Sequence, residues 1–286
     1  MYKVALVVGG TSIACALFRG NKIIRKIERK THIEKGKEFI IKLIIEMIEE
    51  VRGNKKISGI GLGSPGTIDR KKGIIFDSSN IPWKNVPLKK IIQKMFKVSV
   101  FLENDANCAA LGILKKEKVK NFVLLTLGTG LGGAIVIDGK LYTGIGNAGE
   151  FGHSTIKMDG MKCKICGNRG CLEGYVSGRA FKRLSKKYFG KKLSPLELGK
   201  IARKDNKKAK RIYEEVGKCL GVGLANITNT LNPEIIFLTG KIIKSSSLFL
   251  KITEEEMKKR IIMEPPKLKI VKEDVELYGA ASLGDL

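Results

Sequence analysis

Residues 121–138 read Asn-Phe-Val-Leu-Leu-Thr-Leu-Gly-Thr-Gly-Leu-Gly-Gly-Ala-Ile-Val-Ile-Asp. Two short apolar runs, 121–127 and 134–138, flank a glycine-rich segment, and this predicts two strands joined by a turn; Gly139 and Lys140 turn again. The amino-terminal residues carry the same pattern: an apolar strand over 1–8, the turn Gly9-Gly10-Thr11, a second strand over 12–18 and an alternating third over 21–30. One strand, glycine–threonine turn and second strand per half predict a duplicated α/β architecture. Where Cβ atoms are missing, a turn's backbone approaches a ligand closely, and successive N–H groups cradle phosphate. The candidate phosphate contacts are therefore Gly9, Gly10 and Thr11 in the first half, and Gly128, Thr129, Gly130 and Gly132 in the second. Alone, Gly9-Gly10-Thr11 is equally an ordinary tight turn; recurrence gives it meaning.

Between the repeats, Ile40, Ile44, Met47, Ile48 and Val51 recur at helical spacing, and 57–63 returns to strand. A short helix over 86–96 leads to a strand over 98–102, which ends in Glu103-Asn104-Asp105-Ala106-Asn107 before a helix over 106–116. Polar groups at the carboxyl end of a strand face the crevice where open α/β sheets bind ligands. Asp105 is the catalytic candidate, because phosphoryl transfer to an alcohol needs a carboxylate to orient the hydroxyl and take its proton. Asn104 is placed to fix a neighbouring hydroxyl. The alternative is that Asp105 only caps the following helix. Further on, helices are expected over 177–188, 195–203 and 206–231, a strand over 235–238, a helical stretch over 247–262, a strand over 268–271 and a last helix from 276.

Residues 146–174 concentrate a different chemistry. The chain has two histidines and six cysteines, and His153 stands ten residues ahead of Cys163, which Cys166 and Cys171 follow. Three thiolates and one imidazole close a tetrahedral zinc site with no position open to substrate, so a structural zinc knuckle is expected on His153, Cys163, Cys166 and Cys171. Glu150 and Glu173 bracket it, and carboxylates accept hydrogen bonds from sugar hydroxyls.

Composition limits the partners. A net charge of +26 invites a nucleic-acid reading, and the densest basic run lies between Lys200 and Arg211. Lysine is nevertheless spread through nearly every segment, and no aromatic residues interleave with that run for base stacking, so a solvated helix surface is expected. The first residues read as a strand rather than a signal peptide or membrane span. A cytoplasmic protein with no membrane partner is expected.

The motifs Gly149-Glu150-Phe151-Gly152-His153 and Gly170-Cys171-Leu172-Glu173-Gly174 resemble the ROK family of sugar kinases and repressors. So do Gly9-Gly10-Thr11, the loop from Gly61 to Thr67, Ser79-Asn80-Ile81-Pro82-Trp83, Glu103 to Asn107, and Gly279-Ala280-Ala281. The resemblance implies an α/β, duplicated actin-like (ribonuclease H-like) ATPase fold of two lobes with a cleft between them. The lobes expected are 1–117 and 118–274, with a terminal helix over 275–286 packing back on the first. It implies transfer of a phosphoryl group from magnesium ATP to a hexose, glucose to glucose 6-phosphate first, with Asp105 as general base. Gly66, Asn80, Asn104, Asp105, Glu150, His153 and Glu173 are the implied sugar contacts, His153 serving zinc and sugar through opposite ring nitrogens. Gly240 is the implied adenosine contact.

Three departures stand out. Val7 occupies the place of a magnesium-holding aspartate, Ser12 that of a frequent lysine, and two residues, Lys164 and Ile165, separate cysteines that one usually separates. An N-acetylhexosamine or fructose kinase of the same family, or a sugar-binding protein with little or no kinase activity, are the alternatives. The chain carries no counterpart of the repressors' additional amino-terminal DNA-binding domain, so no nucleic-acid partner is expected, and a homo-oligomer, dimer or tetramer, is.

Overall fold

The computed structural model describes residues 1–78, 80–271 and 274–285; Ser79 of the 79–83 motif lies outside them. The first half runs β1 (Tyr2–Val8), β2 (Ser12–Arg19), β3 (Lys22–Lys30), α1 (Gly36–Arg52), β4 (Ile57–Ser64), β5 (Thr67–Asp69), β6 (Ile74–Asp77), β7 (Lys84–Val86), α2 (Leu88–Phe96), β8 (Ser99–Asn104) and α3 (Asp105–Leu114). The second runs β9 (Phe122–Leu127), β10 (Leu131–Ile137), β11 (Lys140–Tyr142), α4 (Glu173–Val176), α5 (Gly178–Phe189), α6 (Pro195–Ala202), α7 (Lys207–Leu231), β12 (Ile235–Thr239), α8 (Leu250–Lys258), β13 (Lys267–Ile270) and α9 (Val275–Ser282).

Local chemistry sets these limits. Helix α1 buries Ile40, Leu43, Ile44, Met47, Ile48 and Val51 along one stripe. Helix α6 opens with a reciprocal capping box between Ser194 and Glu197, followed by Pro195 at its first position. Helix α7 opens on the Asn206 side chain, which accepts from the Ala209 N–H, and closes on Asn232 in a left-handed conformation.

One sheet has the order β3-β2-β1-β4-β8 and another β11-β10-β9-β12-β13. Counting only the strands of each sheet, both therefore read third, second, first, fourth, fifth in chain order. The pairings correspond as well: β1 with β4 and β4 with β8 are parallel, as are β9 with β12 and β12 with β13. This repeated order is the duplicated actin-like, ribonuclease H-like α/β fold.

The chain divides into two compact units, one of residues 1–120, 135–148 and 273–286, the other of 121–134 and 149–272. In the first, Val4, Leu6, Leu62 and Leu102 pack with the apolar stripe of α1 on one face of the sheet. On the other face, Ala5, Ala16 and Phe18 pack with Cys108 and Leu111 of α3 and Leu277 and Ala280 of α9. Helix α9 reaches bare backbone. A Cβ at Gly279 would fall 1.6 Å from the Cys108 carbonyl oxygen, one at Gly112 1.9 Å from that of Val275, and one at Gly61 1.8 Å from that of Ala280. The second unit buries Val123, Leu125, Phe181, Tyr213, Leu220 and Leu238 in one cluster.

Several expected boundaries move. Strand β10 begins at Leu131, so Gly132 and Gly133 belong to it rather than to the turn; a Cβ at Gly133 would fall 2.5 Å from the Gly149 carbonyl oxygen. The small antiparallel sheet β5-β6-β7 was not anticipated. The 247–262 stretch is helical only over α8, preceded by 3-10 turns over Lys241–Leu248. Trp83 is a core residue, 1% exposed, and its Nε1–H donates to Ser64 Oγ at 3.0 Å. Gly217 and Gly221 of α7 serve helix packing: the backbone of α8 and the residue before it, at Phe249 and Thr253, lies against them.

Candidate functional site

In the first unit, three parallel strands end side by side. Val7 is in register with Gly63, Gly63 with Glu103, and Ser64 with Asn104. The turn after β1, the loop after β4 and the start of α3 therefore share one edge of the sheet. The turn closes through Gly9 N–H to Ser12 carbonyl at 2.9 Å, and Thr31, buried at the end of the third strand, holds it by donating its hydroxyl to the Gly9 carbonyl at 2.5 Å. Gly10 lies against Asn80, whose carbonyl oxygen a Cβ there would meet at 3.0 Å. Gly66 has φ 116°, and a Cβ there would lie 2.2 Å from the Asp77 carbonyl oxygen. Val7 packs with Ala14 against the Cys108 cluster, so position 7 has an apolar role here.

At the end of β8 the polar groups are tightly assigned. Asn104 is the helix cap: its Oδ1 accepts from the N–H groups of Ala106 at 2.9 Å and Asn107 at 3.3 Å. Asp105 occupies the first helical position and also accepts from the Ala106 N–H, at 3.0 Å. Glu103, 5% exposed, accepts from the Asn104 N–H at 2.7 Å and from Asn107 Nδ2 at 2.9 Å, while Arg70 donates Nε–H to its other oxygen at 2.5 Å. Burial pushes the Cys108 thiol well up, the Glu103, Asp105 and Glu276 charges adding, so this cysteine is an apolar neighbour and no nucleophile.

Glu276, partly buried near the start of α9, is pushed up to about 7 by burial, with the Asp105 and Asp274 charges adding and its own N–H and Lys26 opposing. A carboxyl raised from its ordinary value binds its proton more tightly when folded. Its contribution to stability is then fully present below about pH 4.5 and is lost as pH rises through about 7. Glu276→Gln is expected to exceed the parent in unfolding free energy at pH 8, by at most about 3 kcal/mol at ~1.4 kcal/mol per pKa unit, with the two converging below pH ~4.5. Urea titrations at the two pH values check this.

The second unit holds the other candidates. The turn after β9 closes through Gly128 N–H to the Gly130 carbonyl at 3.0 Å, with Thr129 exposed at its tip, and the Gly178 N–H donates to the Gly128 carbonyl at 2.9 Å. Glu173 is buried beneath it: one oxygen accepts from the Leu131 N–H at 2.9 Å and the other from Arg179 at 2.6 Å. Gly240 follows β12 with φ 102°, against the Leu127 carbonyl oxygen at 2.4 Å from a Cβ placed there. Gly240 and Gly128 thus flank the same strand end.

Glu150 lies within electrostatic reach of both His153 and Glu173. Burial raises its carboxyl, the Glu173 charge adds, and His153 opposes. His153 Nδ1 stands 3.9 Å from Cys163 Sγ, and Cys166 Sγ 3.5 Å from Cys171 Sγ. All four donor atoms lie within 4.8 Å of one another. A zinc tetrahedron with Zn–S of ~2.3 Å has S···S edges of about 3.8 Å, so the donor set fits the ion in number, type and spacing. The fold of the loop is specific: Gly167 and Gly170 take φ of 78° and 73°, and a Cβ at Gly170 would lie 1.7 Å from the Lys157 carbonyl oxygen.

Thr31, Arg70 and Arg179 were not singled out in the sequence. Thr31 and Arg70 are long-range partners, of Gly9 and Glu103, Arg179 reaches Glu173 six residues away, and two of the three are single arginines in a chain of 54 lysines and arginines. The basic run from Lys200 to Arg211 lies on the end of α6 and the start of α7, with Lys210 paired to Asp205 and Arg211 to Glu215. Among the described residues, no helix is long and apolar enough to cross a membrane.

Residues 3–285 match the model of the ROK family. A glucokinase of Thermotoga maritima is 34% identical, the match covering 96% of this chain and 95% of that protein. A xylose repressor of Caldicellulosiruptor bescii is 34% identical over 80% of this chain, which spans 62% of the repressor's length. Among solved structures, the ROK hexokinase of Thermus thermophilus superposes with a TM-score of 0.83 at 30% identity, covering 99% of this chain and 97% of that one. The ROK family glucokinase of Streptomyces griseus, in complex with glucose and AMPPNP, gives 0.85 at 27% identity, with 99% of both chains covered. Taken with the duplicated sheet and the residues assembled at its strand ends, these matches establish that the chain belongs to the ROK family.

Proposed function

We propose that this protein transfers the terminal phosphoryl group of magnesium ATP to a hydroxyl of a hexose, glucose being the first candidate. The observation that carries the reading is the end of β8, where Asp105 stands at the first position of α3 beside the cap residue Asn104. Asp105 accepts the proton of the attacking hydroxyl as the bond to phosphorus forms. Asn104 spends Oδ1 on the helix, so its Nδ2 is the atom offered to a sugar oxygen. Gly66 and Asn80 complete the first unit's share of sugar contacts.

From the second unit, Glu150, Glu173 and the Nε2 side of His153 receive sugar hydroxyls. Zinc, held by His153 Nδ1 and the three cysteine thiolates, supplies structural constraint alone. Gly9, Gly10, Thr11, Gly128, Thr129, Gly130 and Gly132 present N–H and hydroxyl donors to the phosphates, and Gly240 leaves room for the adenosine. The glucokinase relatives and the glucose and AMPPNP held by the Streptomyces griseus protein support this choice of substrates.

A second reading, a sugar-binding protein with little turnover, is favoured by one observation: Val7 sits in an apolar cluster with Cys108 and Leu277. Assay of magnesium ATP turnover against a panel of hexoses and N-acetylhexosamines, with sugar binding followed in parallel, decides between them. Sugar-dependent turnover establishes the kinase and names its substrate. Binding without turnover overturns it in favour of the second reading.

A further inference from the structure

Among the described residues, the Arg70–Glu103 ion pair is the most buried charge pair bearing on the first unit's candidates, with side-chain exposures of 27% and 7%. Burying a carboxylate costs several kcal/mol unless a cation and hydrogen bonds compensate it, so the partners of Glu103 are its reason for being there. They bracket one residue. One oxygen of Glu103 holds the Asn104 N–H at 2.7 Å and the Asn107 side-chain amide at 2.9 Å, immediately before Asp105 and two residues after it. Asn107 is 4% exposed and, among the described residues, its Oδ1 has no hydrogen-bond partner, so the Glu103 carboxylate sets the direction of that amide. The other oxygen takes Arg70.

Arg70 belongs to the turn between β5 and β6. That turn is itself fixed, the Gly73 N–H donating to the Asp69 carbonyl at 2.7 Å and the Lys72 N–H to Asp69 Oδ1 at 2.9 Å. The same small sheet begins one residue after Gly66 and its second strand ends shortly before Asn80. One arginine thus ties the small sheet that follows Gly66 and whose second strand precedes Asn80 to the carboxylate that brackets Asp105.

We infer that Arg70 is a positioning residue which, through Glu103, holds Asp105 in the orientation needed to receive the hydroxyl proton. The inference rests on the kinase reading above. A group acting only through Asp105 has nothing to act through once Asp105 is disabled, and a double-mutant cycle isolates that dependence. Arg70→Met in the parent is expected to lower kcat by roughly 30-fold or more while the KM for sugar stays within about threefold. In an Asp105→Asn background the same change is expected to alter the residual turnover by less than about threefold. Arg70→Lys, which keeps the charge, is expected to recover part of the loss.

Should Arg70→Met fail to fold, Arg70→Met with Glu103→Leu leaves no buried charge unpaired and is expected to show the same pattern. Equal losses in both backgrounds, or a rise in KM with kcat unchanged, would overturn the inference and leave the kinase reading standing. No Asp105-dependent turnover in the parent overturns both.

Discussion

Asp105→Asn is expected to lower sugar-dependent turnover by about two to four orders of magnitude, the range that a positioned general base supplies, with sugar affinity changed less than about threefold. The substitution suits the question because asparagine keeps an oxygen where Asp105 Oδ1 accepts the Ala106 N–H, and the cap itself is Asn104. The start of α3 is therefore retained while the proton acceptor is lost. Steady-state kinetics with magnesium ATP, alongside calorimetric titration of sugar, separates the two effects. Turnover near the parent's would remove Asp105 from its role. A joint loss of turnover and affinity would assign it to binding.

Loss of the metal is the second large effect. Structural zinc contributes on the order of 10 kcal/mol of apparent binding free energy in small zinc-dependent folds, and 154–172 contains no named helix or strand to hold it. Two isolated bridges, Thr155 with Cys171 and Lys162 with Arg169, are the ladder pairings there among the described residues. Native mass spectrometry is expected to find one zinc per chain. Chelation is expected to open the loop to proteolysis and to raise the dissociation constant for sugar by roughly tenfold or more, since His153 and Glu173 lie at its two ends. Cys171→Ala is expected to mimic chelation more fully than Cys166→Ala, because Cys171 is buried and Cys166 exposed. A zinc-free protein that binds and turns over sugar as the parent does would sever the knuckle from function.

What the sequence disclosed follows from the range of each interaction. Apolar runs of six to eight residues such as β1, β4 and β9 announce themselves, as do helices with a long apolar stripe. Strands β5 to β7, three or four residues each and partly polar, offer no period to read. Gly132 and Gly133 looked like turn because glycine disfavours strands, whereas both lie in β10 and the missing Cβ of Gly133 lets the Gly149 backbone approach. At the sites, residue types were legible and partners were not. Asn104 was read for its amide, and only the backbone geometry shows that its oxygen caps α3. Glu173 was read as a sugar acid; its burial beneath Gly130, with Arg179 and the Leu131 N–H on its oxygens, came from contacts 6 and 42 residues apart. The cysteine cluster was readable because four uncommon residues fall within nineteen positions.

The bare-backbone contacts of α9 bear on how the molecule is made. A ribosome delivers β1 to β8 and α3 first, then all of residues 149–272, and only afterwards the helix that covers Gly61 and Gly112. Throughout that interval α3 covers the second face of the first sheet without its α9 neighbours Leu277 and Ala280, while the second unit already has its whole sequence and can settle. The nascent chain therefore acquires the whole of its inserted unit before its flanking one is complete.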